Sequence, residues 1–311
     1  MIFNATLSQM LFLFLLIIIG YILAKLKLVP DNSERVLSKL ENYLFLPALI
    51  LGTFITNFTV EKLSVAKDLL VGSIIIEAVV IFISVFVVKL CSRDSYVRNI
   101  YLYGLCFPNF GFMGNVIVSA LFPEIYTEYV IFTLVLWAGI YLWGAPVLLI
   151  GNNGEKTSFA HRLKAFLNPM FIGMILGIVI GIAKIPVPKF VINTVNSLGA
   201  CMSPVAMILT GMTVARYNLK EIISIKSVYA VTVLRLLVYP LVFLAVVKFV
   251  PMEQTLLICA LCSLAMPLGL NTVVIPSAYG KDTRVAAGMA IISHLFSCIT
   301  IPLIFMILNN I

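Results

Sequence analysis

The apolar runs of this sequence hold few side chains able to do chemistry, and the most telling are Glu77, Arg235 and His294. Glu77 and Arg235 are the acid and base deepest in such runs, where a charge is expensive unless paired or hydrated. They stand 158 positions apart (235 minus 77). Two uses are open for them: a structural buried ion pair, or a coupling or gating element. His294, with Ser293 and Ser297 nearby, invites a proton relay because histidine titrates near neutral pH; a packing or hydrogen-bonding role is the expected one. Asp31, Asp68, Asp94 and Asp282 fall in loops, so the core lacks the aspartate pair of a cation/proton exchanger. Cys259-x-x-Cys262 has no accompanying histidine or second pair and reads as packing. No metal or cofactor is expected.

Two further clusters are built to bind rather than react. Phe107-Pro108-Asn109-Phe110-Gly111-Phe112-Met113-Gly114-Asn115 and Met266-Pro267-Leu268-Gly269-Leu270-Asn271 each set proline, glycine and asparagine in the middle of an apolar run. Proline removes a backbone donor and clashes with the preceding turn, so each helix should kink or split there. Unwound backbone at membrane depth survives only where it is buried in protein or lines a wet cavity. Half-helix N-termini offer free N–H groups and positive dipole ends, a seat for an anion. One such kink is usually architectural. Two in corresponding places favour a binding site where they cross, drawn from Pro108, Asn109, Gly111, Gly114, Asn115, Pro267, Gly269 and Asn271. The asparagines would serve as neutral donors and acceptors, although each alone could equally join helices.

The elements that carry these groups follow from composition. The chain has 311 residues, 62% hydrophobic and 11% charged, with a mean hydropathy of +1.12, which excludes a soluble fold. Apolar runs long enough to cross about 30 Å of hydrocarbon as helices are expected at 5–24, 34–57, 65–90, 97–120, 125–150, 164–184, 190–214, 227–250, 254–279 and 283–308. Strand alternation is absent, which argues against a barrel. The first run reads as a retained span rather than a cleaved signal. Residues 1–150 form a first five-helix unit, 151–163 a cytoplasmic linker and 164–311 a second unit. Alternate loops hold 15 and five Lys and Arg residues. The basic set should face the cytoplasm, so both termini are expected outside, in a multi-pass plasma-membrane protein. The net charge of +8 is scattered through short loops, unlike the stripe of a nucleic-acid binder.

The halves resemble each other. A shift of 157 to 159 residues lays Leu46-Pro47-Ala48 over Ser203-Pro204-Val205 and Phe107-Pro108 over Met266-Pro267, and it lays Glu77 over Arg235. With five spans per half, the copies must insert in opposite orientation, the plan of many secondary transporters. The expected fold is therefore all-α integral membrane, with ten transmembrane helices as two inverted five-helix repeats and broken, crossing helices four and nine.

Phe45-Leu46-Pro47-Ala48-Leu49, Pro108-Asn109 followed by Gly111-Phe112-Met113-Gly114, and Thr300-Ile301-Pro302-Leu303 together resemble the auxin efflux carrier family, which includes plant PIN-type exporters and bacterial dicarboxylate permeases. The resemblance covers essentially the whole chain. It implies a scaffold side and a transport side, an elevator-like motion, often a homodimer, and a mono- or dicarboxylate bound where spans four and nine cross. Asn109 would touch this substrate, with Pro108 and Pro267 forming the crossing. The chain departs from the family pattern at Val116, where relatives usually carry another proline, and at His294, where a small hydroxyl residue is expected. The function read here is an efflux carrier or permease for a small organic anion, energised by membrane potential or a proton gradient. A transporter-derived sensor and an intramembrane enzyme are the alternatives, the latter weakened because HExxH, GxSxG and an aspartate dyad are missing.

Overall fold

The computed structural model describes residues 2–58, 60, 62–150 and 169–308. Among these residues there is no strand. The helices in chain order are α1 (Ile2–Lys25), α2 (Ser33–Leu40), α3 (Leu46–Asn57), α4 (Lys62–Cys91), α5 (Ser95–Cys106), α6 (Asn115–Leu121), α7 (Tyr126–Gly139), α8 (Pro169–Ile182), α9 (Lys189–Ala215), α10 (Leu219–Ile223), α11 (Lys226–Val233), α12 (Tyr239–Val247), α13 (Gln254–Leu264), α14 (Asn271–Ala278) and α15 (Arg284–Leu308). Wider, π-helical turns lie at Glu41–Phe45 between α2 and α3, at Phe110–Gly114 leading into α6, at Ile140–Ile150 continuing α7, and at Leu234–Val238 between α11 and α12. Such turns insert one residue into the ladder and commonly mark functional or strained places.

Among the described residues seven helical segments are long and apolar enough to cross a membrane, and α8 and α13 are shorter apolar helices. The helical run from Ser33 to Asn57 carries Glu34, Arg35, Lys39 and Glu41 in its first half, which lowers its hydropathy below that of its neighbours. The linker expected at 151–163, with Lys156 and Arg162, lies outside the described residues, as do Lys164 and the start of the sixth expected span.

Burial is inverted relative to a water-soluble protein. Phe82 is 67% and Leu90 89% exposed, while Arg235, Asn109 and His294 are each 1% exposed. An apolar exterior, with the few charged and polar groups of the spans withdrawn into an apolar core, is what hydrocarbon as solvent demands. This is a multi-pass integral membrane protein.

In lipid, helices are drawn together by close packing and hydrogen bonds more than by hydrophobic burial. The pairing of α1 with α9 shows how. A Cβ at Gly20 would overlap the Ile208 carbonyl, and one at Gly211 would overlap the Ile17 carbonyl, so two glycines let the backbones touch from both sides. The α3 helix packs along α8, and the Gly173 Cα faces the Pro47 carbonyl in the same manner. A second group packs α4 against α5 and α7, and α15 against α11 and α1. Gly211→Leu should force α1 away from α9 at a cost of about 1–3 kcal/mol or more. The expected result is a lower yield of monodisperse protein in detergent, and an unchanged yield would contradict the close approach.

Candidate functional site

Two interrupted helices supply the centre of the site. Helix α5 ends at Cys106; Phe107 still donates its N–H to Tyr103 O at 2.8 Å, after which Pro108 has no N–H to give. Asn109 leaves helical geometry with φ −77 and ψ 45. Its carbonyl then accepts from the N–H groups of Met113 and Gly114, which starts the helical segment through Phe110–Gly114 and α6. In the second interruption α13 ends at Leu264, and the chain turns through Ala265–Leu270 before α14 begins. There Gly269 O accepts from the Thr272 N–H and hydroxyl.

The interruptions cross in direct contact. Asn109 donates its N–H to Pro267 O at 2.8 Å, replacing the bond to Leu105 O that an unbroken helix would make. A Cβ at Gly269 would overlap the Phe107 carbonyl oxygen, so only glycine permits this approach. Asn109, Pro267 and Gly269 thus meet where the two interruptions touch.

The breaks free backbone carbonyls, and Arg235 collects them. Pro267 cannot donate to Ser263 O, and Asn109 no longer donates to Leu105 O. The guanidinium donates to both, from Nη2 to Ser263 O and from Nη1 to Leu105 O at 2.8 Å each, and from Nε to Met266 O at 3.2 Å. One planar fork therefore holds the C-terminal ends of α5 and α13 together, a task suited to arginine's fixed donors. A cation there also opposes the negative end of each helix dipole. Meeting Glu77 in an ion pair, one of the uses open to Arg235, is not what its donors do. Glu77 instead shares with Arg235, Ser73, Pro108 and Ser263 the wall of a cavity of about 10 Å³, close to the volume of one water. Glu77 Oε1 and Ser73 Oγ have no hydrogen-bond partner in the protein.

His294 reaches the crossing from α15. Its Nε2 lies 2.8 Å from Asn109 Nδ2, and its Nδ1 lies 2.7 Å from Ala290 O and 3.5 Å from Ser293 Oγ. Neither Ser293 nor Ser297 continues a relay outward by the contacts seen, since Ser297 Oγ donates to the His294 carbonyl. Asn115 and Asn271 are buried and begin α6 and α14, Asn115 beyond the turn Phe110–Gly114 and Asn271 just after Gly269 and Leu270. Gly111 and Gly114 act by clearance: a Cβ at Gly111 would lie 2.8 Å from the Trp137 ring, and one at Gly114 would overlap the Tyr129 hydroxyl. That hydroxyl donates to Phe110 O at 3.1 Å.

An aromatic collar surrounds the first interruption. Phe107 packs against Tyr103 and Trp143, with ring centroids at 5.0 and 6.0 Å, and Phe110 against Trp137 at 4.9 Å. Its signal was the pair of tryptophans in one span, each with glycine close by at Gly139 and Gly144, both of which clear the Phe107 ring. The contact between His294 and Asn109 had no local signal, because 185 positions separate them. Cys259 and Cys262 are buried thiols of the core.

A membrane-embedded bundle whose polar groups converge on two crossed, broken helices is the architecture of a solute carrier. A family model described as membrane transport protein matches residues 5–162 and 155–305. The chain therefore belongs to the membrane transport protein family, that of the auxin efflux carriers, and it is a membrane transporter. No curated protein matches it.

Proposed function

We propose that this protein is a secondary transporter for a small organic anion, a mono- or dicarboxylate, bound at the crossing of the broken helices. The observation that carries this reading is the asymmetry of the crossing. Arg235 occupies the carbonyl ends of α5 and α13, which would otherwise repel an anion. On the other side two helical segments begin, after Asn109 and after Leu270, and direct their positive dipole ends at the crossing. In the first the return bonds to Asn109 O start only at Met113, whereas in the second the Thr272 and Val273 N–H groups already turn back to Gly269 O and Leu270 O. A fixed cation plus two positive helix ends makes the crossing electropositive in a low-dielectric setting. Asn109 and the neighbouring Asn115 and Asn271 would orient the bound carboxylate.

The transport plan is ten spans in two inverted repeats. Its support is that α1 on α9 and α3 on α8 exchange places under the 157 to 159 residue shift, as do Pro108 and Pro267. Helices α1, α3, α8 and α9 would form the scaffold. The group carrying the crossing would move past it in an elevator-like step, in a homodimer as the family resemblance implies. The excess of basic residues in alternate loops supports a plasma-membrane protein with both termini outside.

The test is uptake of radiolabelled malate, malonate and indole acetate into proteoliposomes. Asn109→Ala should weaken binding by about 10- to 100-fold, the worth of one hydrogen bond to a charged group, about 1.5–3 kcal/mol. Saturable wild-type uptake lost in the variant supports the reading. Failure of the wild type to take up any carboxylate under imposed potential, proton or sodium gradients would sink it.

A further inference from the structure

His294 fixes which end of the Asn109 side-chain amide faces the crossing. The Ala290 carbonyl can only accept, so the hydrogen on the neutral ring sits at Nδ1, 2.7 Å away, and Nε2 is left as an acceptor. Asn109 must then turn its Nδ2 toward Nε2, as seen at 2.8 Å; the reverse orientation would set two lone pairs against each other. Its Oδ1 is consequently aimed elsewhere, and it is buried without a hydrogen-bond partner. An unpaired buried carbonyl is costly in itself, and it presents an acceptor in a place suited to an anion, which needs donors.

We propose that His294 couples anion binding to one proton by reversing the Asn109 amide, an inference that rests on the anion reading above. When Nε2 takes a proton from water on the entry side, both ring nitrogens become donors, and Nε2–H requires an acceptor. Asn109 Oδ1 supplies it once the amide turns. The Nδ2 hydrogens then occupy the former position of Oδ1, where they donate to a carboxylate. The buried imidazolium and the anion also neutralise one another, so each favours the other's entry, and the coupling is reciprocal. On the far side the anion leaves, the proton returns to water, and the amide turns back.

The elements packed against α15 bring other titratable or charged groups. These are Tyr21 and Lys25 on α1; Lys189 and Cys201 on α9; Lys220 and Glu221 on α10; Lys226 and Tyr229 on α11; Tyr96, Arg98, Tyr101, Tyr103 and Cys106 on α5; and Arg235. Arg235 is committed to three carbonyls and Tyr101 to Ser227 Oγ. The side-chain partners of His294 are Asn109 and Ser293. The amide that answers its protonation is therefore that of Asn109.

Two measurements on the full-length protein test this. In weakly buffered detergent with a pH indicator, adding malonate, malate or indole acetate at matched pH should draw up about one proton per bound anion. In proteoliposomes an acid-outside gradient should raise wild-type accumulation at least about tenfold. His294→Gln keeps a hydrogen-bonding neutral side chain that cannot titrate; it should show reduced, pH-independent counterflow and lose the acid-driven accumulation. Wild-type counterflow without proton uptake overturns the coupling alone, as does acid-driven accumulation that survives in His294→Gln. Absence of wild-type counterflow for all three anions overturns the anion reading and the coupling with it. Should His294→Gln fail to fold, the wild-type proton count decides.

Discussion

Arg235→Met should lower the apparent melting temperature in detergent more than any other single change at the crossing, and should abolish transport. The loss strands Leu105 O and Met266 O inside the bundle and leaves Ser263 O with the Met266 N–H alone, at 3.3 Å; each unsatisfied buried carbonyl costs about 1–3 kcal/mol. Removing the cation also relieves a buried charge, worth about 2.5–3.5 kcal/mol on insertion scales. Two orphaned carbonyls, the weakened satisfaction of Ser263 O and the loss of the link between the two broken ends outweigh that relief. The two broken ends, no longer held together, should then lose their register. Arg235→Lys preserves the charge as a compact ammonium that cannot span three carbonyls in one plane, so an intermediate melting temperature is expected. If Arg235→Met melts like the wild type by fluorescence-detected size exclusion, the guanidinium is not a clamp.

Gly269→Ala should separate folding from function less cleanly and have nearly as large an effect. Its new methyl would overlap the Phe107 carbonyl oxygen, a backbone atom that cannot rotate aside. The crossing can admit it only by pulling Pro267 away from Asn109, which breaks the N–H to carbonyl bond of 2.8 Å. Overpacking at a rigid contact costs about 1–3 kcal/mol, and the displaced crossing would lie well beyond the sub-ångström tolerance of a binding site. Uptake at matched protein amounts should fall to background, with a measurable drop in melting temperature. Wild-type uptake in Gly269→Ala would show that the two breaks need not touch.

Much of this architecture is legible one residue at a time. Long apolar runs become helices in lipid because no other backbone arrangement satisfies its own hydrogen bonds there. Pro108 and Pro267 break their helices because proline lacks a donor wherever it stands. The 158-residue offset of Glu77 and Arg235 flags them as special, since charges at that depth are not placed idly.

What those charges do is another matter. The spacing that pointed to an ion pair is equally compatible with a guanidinium serving three carbonyls, and the choice depends on where the breaks release acceptors in space. Gly111 and Gly114 read along the chain as helix-breaking glycines; that they also make room for Trp137 and Tyr129 depends on how α7 packs. The reach of His294 to Asn109 spans 185 positions and is fixed only when α15 settles against the crossing. The sequence by itself determined the helices, their interruptions and the few polar groups within them, because these follow from local chain chemistry and the solvent. Only the tertiary structure decided which acceptor each donor finds, because hydrogen bonds are satisfied by distance and direction, and neither is encoded along the chain.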